Sequence, residues 1–165
     1  MSVEAKQAKQ VIIDEIKEKL DGAQSAVVID YMGTTVAQAD AMRKKLREAN
    51  VDYTVYKNTL IKRAIEGTEF ASLAEVLDGP SAIAISKEDA TAPARVLKEV
   101  IDEFKKMEFK AGVVEGNFFD QNGIKEIASI PSRDVLIAKF MGSIQSPVSK
   151  AVRTFQAIAD AKAEA

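Results

Sequence analysis

The chain has no cysteine, no histidine and no tryptophan. Without cysteine there are no disulfide bonds, no thiol nucleophile and no thiolate ligand for a metal. Without histidine the chain lacks the commonest general base and the commonest ligand of transition metals. Zinc enzymes, cysteine proteases and hydrolases with a Ser-His-Asp triad are therefore excluded, and the sequence predicts neither a metal nor a cofactor.

Long apolar runs and phosphate-binding glycine motifs are missing as well. No segment approaches the roughly 20 apolar residues of a membrane span, and the N-terminus lacks the apolar core of a signal peptide, so we expect a cytoplasmic protein. The eight glycines form neither G-x-G-x-x-G nor G-x-x-x-x-G-K-[ST], which argues against nucleotide binding. No predicted strand carries an aromatic RNP motif, so any RNA recognition is expected to use shape and backbone.

Charge is distributed unevenly along the chain. The 165 residues are 47% apolar and 29% charged, as expected for one globular domain with an appendage, and their net charge is −2 with a pI near 5.4. Between Arg43 and Arg63, however, seven basic residues stand against only Glu48 and Asp52, so this segment carries +5. Such sorting of charge costs self-repulsion and is typical of a surface that meets a polyanion. The distribution therefore favours a nucleic-acid partner.

Hydrophobic periodicity predicts an α+β fold. It predicts helices over residues 3–20, 35–49, 58–65, 69–77, 89–104 and 124–130, and strands over 26–29, 51–56, 82–85 and 109–114. Thr35 and Gln38 fit a capping box, Asn58 is expected to cap the third helix, and a hairpin is expected to extend the last strand to Phe118 and Phe119. Without the first helix and the insert after the second strand, the order is β-α-β-β-α-β. We therefore expect a ferredoxin-like, split βαβ plait with helical insertions, in which a four-stranded, mainly antiparallel sheet has both crossover helices on one face.

The last segment has the periodicity of an amphipathic helix. Pro131 and Ser132 separate it from the globular part, which gives predicted domains of 1–130 and 131–165. Pro147 predicts a kink or break near Ser146. The apolar residues recur every three or four positions and form one stripe along the helix: Leu136, Phe140, Ile144, Val148, Val152, Phe155 and Ile158, widened by Ile137 and Met141.

This tail helix either folds back onto its own domain or projects to receive a partner. Its length favours projection, because an unkinked helix over 132–160 would span ~40 Å, against a radius of gyration of ~14 Å for a domain of this size. A projecting helix would place its apolar face in a partner's apolar groove, since an uncovered stripe is an aggregation risk.

The start of the third helix has the chemistry of an RNA-backbone site. A helix that begins directly after a strand presents free N–H groups and a positive dipole end, and both favour a phosphate. Lys57 stands at its entrance, Asn58 and Thr59 can bond a sugar or a phosphate, and Lys62 and Arg63 follow on the helix.

The preceding helix adds two further basic candidates. Arg43 and Arg47 lie one turn apart on one face of it. Lys44 is expected instead to form weak ion pairs with Asp40 and Glu48, as on an ordinary solvated helix face.

The segment 56–68, Tyr-Lys-Asn-Thr-Leu-Ile-Lys-Arg-Ala-Ile-Glu-Gly-Thr, resembles the signature of the bacterial ribosomal protein L10 family, the stalk-base proteins of the large subunit. Four further segments agree in the same order, at 26–31, 79–84, 92–97 and 131–134. The resemblance covers essentially the whole chain, including the amphipathic helix at its end.

The resemblance implies a structural ribosomal protein rather than an enzyme, with a similar globular fold. Such a protein would bind large-subunit ribosomal RNA at the GTPase-associated centre, beside ribosomal protein L11. Its C-terminal helix would carry L7/L12 dimers, which recruit the translational GTPases. The expected RNA-binding residues are Lys57, Asn58, Thr59, Lys62 and Arg63, with Gly33 in a nearby turn and Arg43 and Arg47 from the charge pattern. The expected stalk contacts are Leu136, Phe140, Met141, Ile144, Val148, Val152, Phe155 and Ile158, and a kink near Pro147 would divide them between two dimers.

One position departs from the family. The turn after the first strand often contains Tyr-Arg-Gly, whereas this chain has Tyr31, Met32 and Gly33. Met32 cannot replace an arginine as a phosphate ligand, so an RNA contact at this turn depends on backbone N–H groups.

Two other functions remain open from the residues alone. An enzyme could use a buried carboxylate or a lysine, such as Asp30 or Lys110, although ordinary polarity at a strand end is the better explanation of both residues. A protein adaptor could instead use the basic segment to meet an acidic partner.

Overall fold

The computed structural model describes the backbone of residues 3–163 and the side chains of residues 7, 9–146, 150 and 153–157. The chain divides into two units, 1–130 and 131–165. The second unit is the helix α6 (Arg133–Ala163). The first unit consists of α1 (Val3–Leu20), β1 (Ser25–Asp30), α2 (Val36–Glu48), β2 (Val51–Thr54), α3 (Asn58–Ile65), a 3₁₀ helix (Ala71–Glu75), β3 (Ala82–Ser86), α4 (Ala92–Phe104), β4 (Glu108–Val114), β5 (Asn117–Asp120) and α5 (Gln121–Ile127).

The first unit is built on one antiparallel sheet with the strand order β2-β3-β1-β4-β5. The strands of the unit β1-α2-β2 are separated by β3, and those of β3-α4-β4 are separated by β1, which is the split βαβ arrangement. The predicted α+β class is therefore confirmed. The sheet has five strands rather than the four predicted, because β5 continues from β4 as a hairpin and adds an edge strand.

Helices cover both faces of the sheet. On one face, Met42 and Leu46 of α2 and Leu97 of α4 pack with Val27 and Ile29 of β1. On the other face, residues of α1, α3 and the 3₁₀ helix pack with Ala26, Val28, Ile83 and Ile85, and the helical residues include Ile16, Ile61, Ile65 and Leu73. The two crossover helices thus share a face, as predicted. Because successive residues of a strand point to opposite faces and both faces are covered, β1 is a continuous apolar run.

Several element boundaries differ from the prediction. The strand β2 ends at Thr54, and the segment predicted as a helix over 69–77 forms only a short 3₁₀ helix. The helix α4 begins at Ala92 rather than at Asp89, whose carboxylate accepts hydrogen bonds from the Thr91 backbone at 2.9 Å and from the Thr91 hydroxyl at 3.0 Å. These bonds fold Asp89 into a turn, so it precedes the helix instead of belonging to it.

Helix α6 is continuous through Pro147. Of the kink or break predicted near Ser146, the break is therefore wrong, and the kink stays a prediction. A proline in a helix interior removes one hydrogen bond and costs about 3 kcal/mol, but long helical segments on both sides propagate the helix across it. Among the described helices, none has the length and apolar character of a membrane span.

Candidate nucleic-acid interface

Four loops meet at one end of the sheet. Ile29 near the end of β1 pairs with Ala82 at the start of β3, and Thr54 at the end of β2 pairs with Ile83. Asp30 likewise faces Glu108, at the start of β4. The loops 31–35, 55–57, 78–81 and 105–107 therefore share this end of the sheet, which we call the loop end. The turn at Gly33 and the start of α3 therefore lie at the same end of the sheet.

Helix α3 begins at the loop end without a capping side chain. Lys57, in an extended conformation, is the N-cap residue, and its carbonyl accepts from Leu60 N at 2.8 Å. The prediction that Asn58 caps the helix is wrong, because Asn58 is the first helical residue and its Nδ2 donates to Gly79 O at 2.7 Å. The N–H groups of Asn58 and Thr59 thus belong to the donors that a helix cannot satisfy itself, at its positive end.

The cations of α3 lie on its solvent side, because Leu60, Ile61, Ala64 and Ile65 face the core. Lys57, Thr59 and Arg63 are exposed. Neither Lys57 nor Arg63 forms an ion pair with any carboxylate in the described part of the chain, whereas Lys62 Nζ lies 3.5 Å from Asp78 Oδ1. The five residues predicted around the start of α3 are therefore close together, and two of their charges are uncompensated.

The turn 78–81 is attached to this helix and to β4. Lys110 donates to the carbonyl oxygens of Asp78 and Pro80 and to Ser81 Oγ, and its Nζ lies 3.8 Å from Asp30 Oδ2. Lys110 reaches the turn because of a β-bulge. Val28 of β1 pairs with Ala111 and Ile29 pairs with Phe109, which leaves Lys110 as the extra residue.

The turn that follows β1 offers less to a phosphate than the sequence suggested. Met32 is exposed, and its backbone N–H, the donor that would have to replace an arginine, is already bonded to Asp30 Oδ1 at 2.9 Å. The side chain of Lys106 lies beside Gly33. The capping box at Thr35 and Gln38 is confirmed by both of its hydrogen bonds.

Arg43 and Arg47 are not part of the same surface. They lie on α2, across the sheet from α3, and line a cleft of about 660 Å³ at the start of β2, opposite the loop end. Tyr53 and Lys87 also line this cleft, and burial raises the pKa of Tyr53 to about 12 although the charge of Arg43 opposes the shift. The strand β2 thus separates Arg43 and Arg47 from the cations of α3, although the two groups are close in sequence.

The ion pairs of α2 differ from those predicted. Lys44 pairs with neither Asp40 nor Glu48. Asp40 pairs instead with Arg43, at 3.6 Å, and Lys45 reaches Glu103 on α4, at 2.7 Å. The first of these pairs lies within α2, and the second joins α2 to the neighbouring helix α4.

Sequence reasoning missed a polar network that holds the segment before α3. Lys19 Nζ contacts Tyr56 Oη at 3.1 Å and Asp52 at 3.1 Å, and Tyr56 Oη donates to Glu15 at 2.7 Å. Partial burial opposes the charge of Lys19, but the hydrogen bonds to Tyr56, Asp52 and Glu15 outweigh it and raise the pKa of Lys19. Burial and the bond to Glu15 raise the pKa of Tyr56. Both groups therefore stay protonated at neutral pH and fix Tyr56, the neighbour of Lys57, to α1.

The tail presents an apolar stripe. The described part of its unit, up to residue 163, is one helix, so no second element there could cover the stripe. The side chains of Val148, Val152 and Ile158 lie outside the described residues. The described stripe residues are all exposed, namely Leu136, Ile137, Phe140, Met141, Ile144 and Phe155. An exposed apolar stripe of this size is typical of a surface that binds another protein.

Comparison with known proteins identifies the family of the chain. A family model described as "Ribosomal protein L10" matches residues 4–102, and one described as "Ribosomal protein uL10 C-terminal region" matches residues 130–165. The chain is 43% identical, over 158 residues, to the large ribosomal subunit protein uL10 of Bacillus cereus strain B4264, and the match covers 96% of this chain and 95% of that protein. The uL10 protein of Bacillus anthracis strain CDC 684 matches with the same identity and coverage. The chain therefore belongs to the ribosomal protein L10 family, the structural proteins of the large ribosomal subunit in the cytoplasm.

Proposed function

We propose that the first unit binds large-subunit ribosomal RNA at the GTPase-associated centre, beside L11, and that the tail carries L7/L12 dimers. In this proposal the chain is a scaffold without enzymatic activity. The observation that carries the RNA assignment is the uncapped start of α3, where Lys57 and Arg63 have no ion-pair partner in the described structure.

The electrostatics of this site favour a phosphate over a neutral ligand. Backbone donors at a helix start and its positive dipole end attract an anion. Lys57 adds positive charge at the helix start, Lys62 and Arg63 add it from the last turn of the helix, and Asn58 and Thr59 add polar groups that suit a sugar or a phosphate. The site contains no exposed aromatic platform for bases, so recognition rests on backbone and shape.

Asp30 and Lys110, the two candidates for catalysis, do not favour an enzyme. Lys110 bonds the turn 78–81 and lies near Asp30, so both side chains have a structural role. In the described part of the chain, no group of three acidic residues is arranged to hold a metal.

The tail proposal rests on the exposed stripe. Phe140, Ile144 and Phe155 are 67%, 61% and 73% exposed, and apolar residues at this spacing bind a groove on a partner through one helix face. The expected number of two dimers depended on a kink near Pro147, which stays a prediction. The number of dimers therefore has to be counted directly.

The RNA proposal is tested by the salt dependence of binding. We expect the chain to contact about 4–6 phosphates, which gives a slope of log K against log salt on the order of −3 to −5. Replacing Lys57, Lys62 and Arg63 with alanine should weaken binding and flatten the slope by up to about one for each phosphate that is no longer bound. The measurement is a titration of the GTPase-associated segment of ribosomal RNA at several salt concentrations.

A matched variant separates local contacts from net charge. Lys17, Lys98 and Lys125 lie on α1, α4 and α5, and their replacement with alanine removes the same total charge. The slope of this control should stay near that of the unmodified chain. An unchanged slope in the first variant, or equal flattening in both, would remove the start of α3 from the RNA site.

A further inference from the structure

Lys110 has no hydrogen-bond capacity left for a ligand. Its ammonium group has three donors. All three are used within the protein, by the carbonyl oxygens of Asp78 and Pro80 and by Ser81 Oγ. The side chain is 17% exposed, and Asp30 lies 3.8 Å from its charge. Lys110 therefore acts on the turn and would have to release it to bond a phosphate.

The turn held by Lys110 contacts two of the residues assigned to RNA. Gly79 O accepts from Asn58 Nδ2 at 2.7 Å, which fixes the first residue of α3. Asp78 Oδ1 lies 3.5 Å from Lys62 Nζ. Gly79 has a φ of +66°, a conformation that other residues rarely adopt, so the turn has a defined shape. A change at Lys110 is thus transmitted through the turn to Asn58 and Lys62.

We propose that Lys110 is a positioning residue of the RNA site. It holds the turn 78–81 so that the turn fixes the Asn58 amide and sets the resting position of Lys62. The proposal rests on the RNA-binding function proposed above. It assigns no RNA contact to Lys110, so Lys110 contributes to affinity without contributing to the number of phosphates bound.

The test is the replacement Lys110→Met, which keeps the apolar stem and removes the three bonds. We expect affinity for the GTPase-associated RNA segment to fall on the order of tenfold, the lower end of the loss found when a partner that orients a metal-binding side chain is removed. The salt slope should stay that of the unmodified chain, because the same phosphates are still bound. Lys62→Ala, by contrast, should flatten the slope by about one. Lys98→Met removes a lysine that donates to a carbonyl on α5 and should leave both quantities unchanged.

An NMR spectrum tests the mechanism without RNA. In Lys110→Met the Asn58 side-chain amide and the backbone amides of Asp78, Gly79 and Ser81 should shift, while those of α4 and β5 should not. If Lys110→Met does not fold, Ser81→Ala removes one of the three bonds at constant charge and should weaken binding two- to threefold, again with an unchanged slope.

The outcomes distinguish this inference from the function on which it rests. A slope flattened by about one in Lys110→Met would make Lys110 a phosphate ligand and overturn the positioning role. Unchanged affinity in Lys110→Met, together with reduced affinity in the triple variant at Lys57, Lys62 and Arg63, would overturn the inference and leave the RNA site. Unchanged affinity in both variants would overturn the RNA site and the inference with it.

Discussion

At the residue scale, Asp89 shows how one carboxylate orders the start of a helix. It accepts two hydrogen bonds from Thr91 and lies 3.4 Å from Arg95 Nη2. Burial opposes the ionised form, but the backbone and hydroxyl bonds from Thr91 and the Arg95 charge outweigh it and lower the pKa of Asp89. The ionised carboxylate therefore fixes the turn from which α4 starts.

The lowered pKa makes the contribution of Asp89 depend on pH. A group whose pKa is lower in the folded than in the unfolded protein stabilises the fold above its unfolded pKa, and this contribution is lost as pH falls through the folded pKa. We expect Asp89→Asn to cost about 1 kcal/mol at pH 7, which lowers Tm by about 2–4 °C. The difference should shrink below about pH 4. Thermal unfolding followed by circular dichroism between pH 2 and pH 7 measures it.

A carboxylate on the same helix serves as the control. Asp102 is exposed on α4, and Asp102→Asn should leave Tm nearly unchanged across the range. A Tm difference for Asp89→Asn that stays constant from pH 7 to pH 2 would show that the charge of Asp89 is not what stabilises the turn.

At the element scale, local chemistry predicted the elements better than it predicted their ends. The capping box at Thr35 was found as predicted because both of its bonds form within one turn of chain. Asn58 was assigned to the wrong position since its amide bonds Gly79, which is distant in sequence. A rule that considers only neighbours in sequence cannot include such a bond.

The bulge in β4 is the clearest feature that the alternation of residues in the sequence could not predict. Simple alternation would place Phe109 on the same face as Ala111 and Val113. The bulge instead puts Phe109 in the core below α2 and α4, while Ala111 and Val113 face the core below α1 and α3. The shift depends on the pairing register of β1 and β4, and it also directs Lys110 to the turn 78–81.

The packing of β4 between β1 and α5 requires a glycine. A Cβ on Gly112 would lie 2.6 Å from Ile124 Cδ1, 3.1 Å from Ala26 O and 3.2 Å from Val27 Cγ2. Since the backbone of β1 cannot give way without disturbing the sheet, we expect Gly112→Ala to lower the free energy of unfolding by roughly 1–3 kcal/mol. Urea denaturation of the chain measures this decrease.

A glycine in open space gives the comparison. Gly142 lies within α6, and apart from its two chain neighbours and the adjacent helix backbone, no atom of the described chain lies within 4 Å of the position its Cβ would take. Gly142→Ala should leave the stability of the first unit unchanged and should raise helix content, because alanine favours a helix interior over glycine by about 1 kcal/mol. Equal stability of Gly112→Ala and the unmodified chain would contradict the tight packing at β4.

At the scale of the whole molecule, the proposed functions are assigned to separate units. In the first unit, Lys57 lies at the start of α3 and Arg63 in its last turn, and the second unit carries the exposed apolar stripe. The sequence could place the candidate residues around α3 together, since they are close in the chain and lie on or next to one helix; their RNA-binding role stays a proposal. Arg43 and Arg47 were grouped with them because the charge count followed position in the chain alone, whereas β2 runs between the two sites from one end of the sheet to the other.

The most direct test of this account is the native mass of one mixture. It contains the chain, the GTPase-associated segment of ribosomal RNA and the L7/L12 protein of the same organism, and it is repeated with a chain that ends at Pro131. We expect the full chain to bind the RNA together with an even number of L7/L12 chains, and the shortened chain to bind the RNA alone. A full chain that binds no L7/L12 at micromolar concentration, or a shortened chain that keeps it, would contradict the proposed role of the tail; failure of both folded chains to bind the RNA would contradict the role of the first unit.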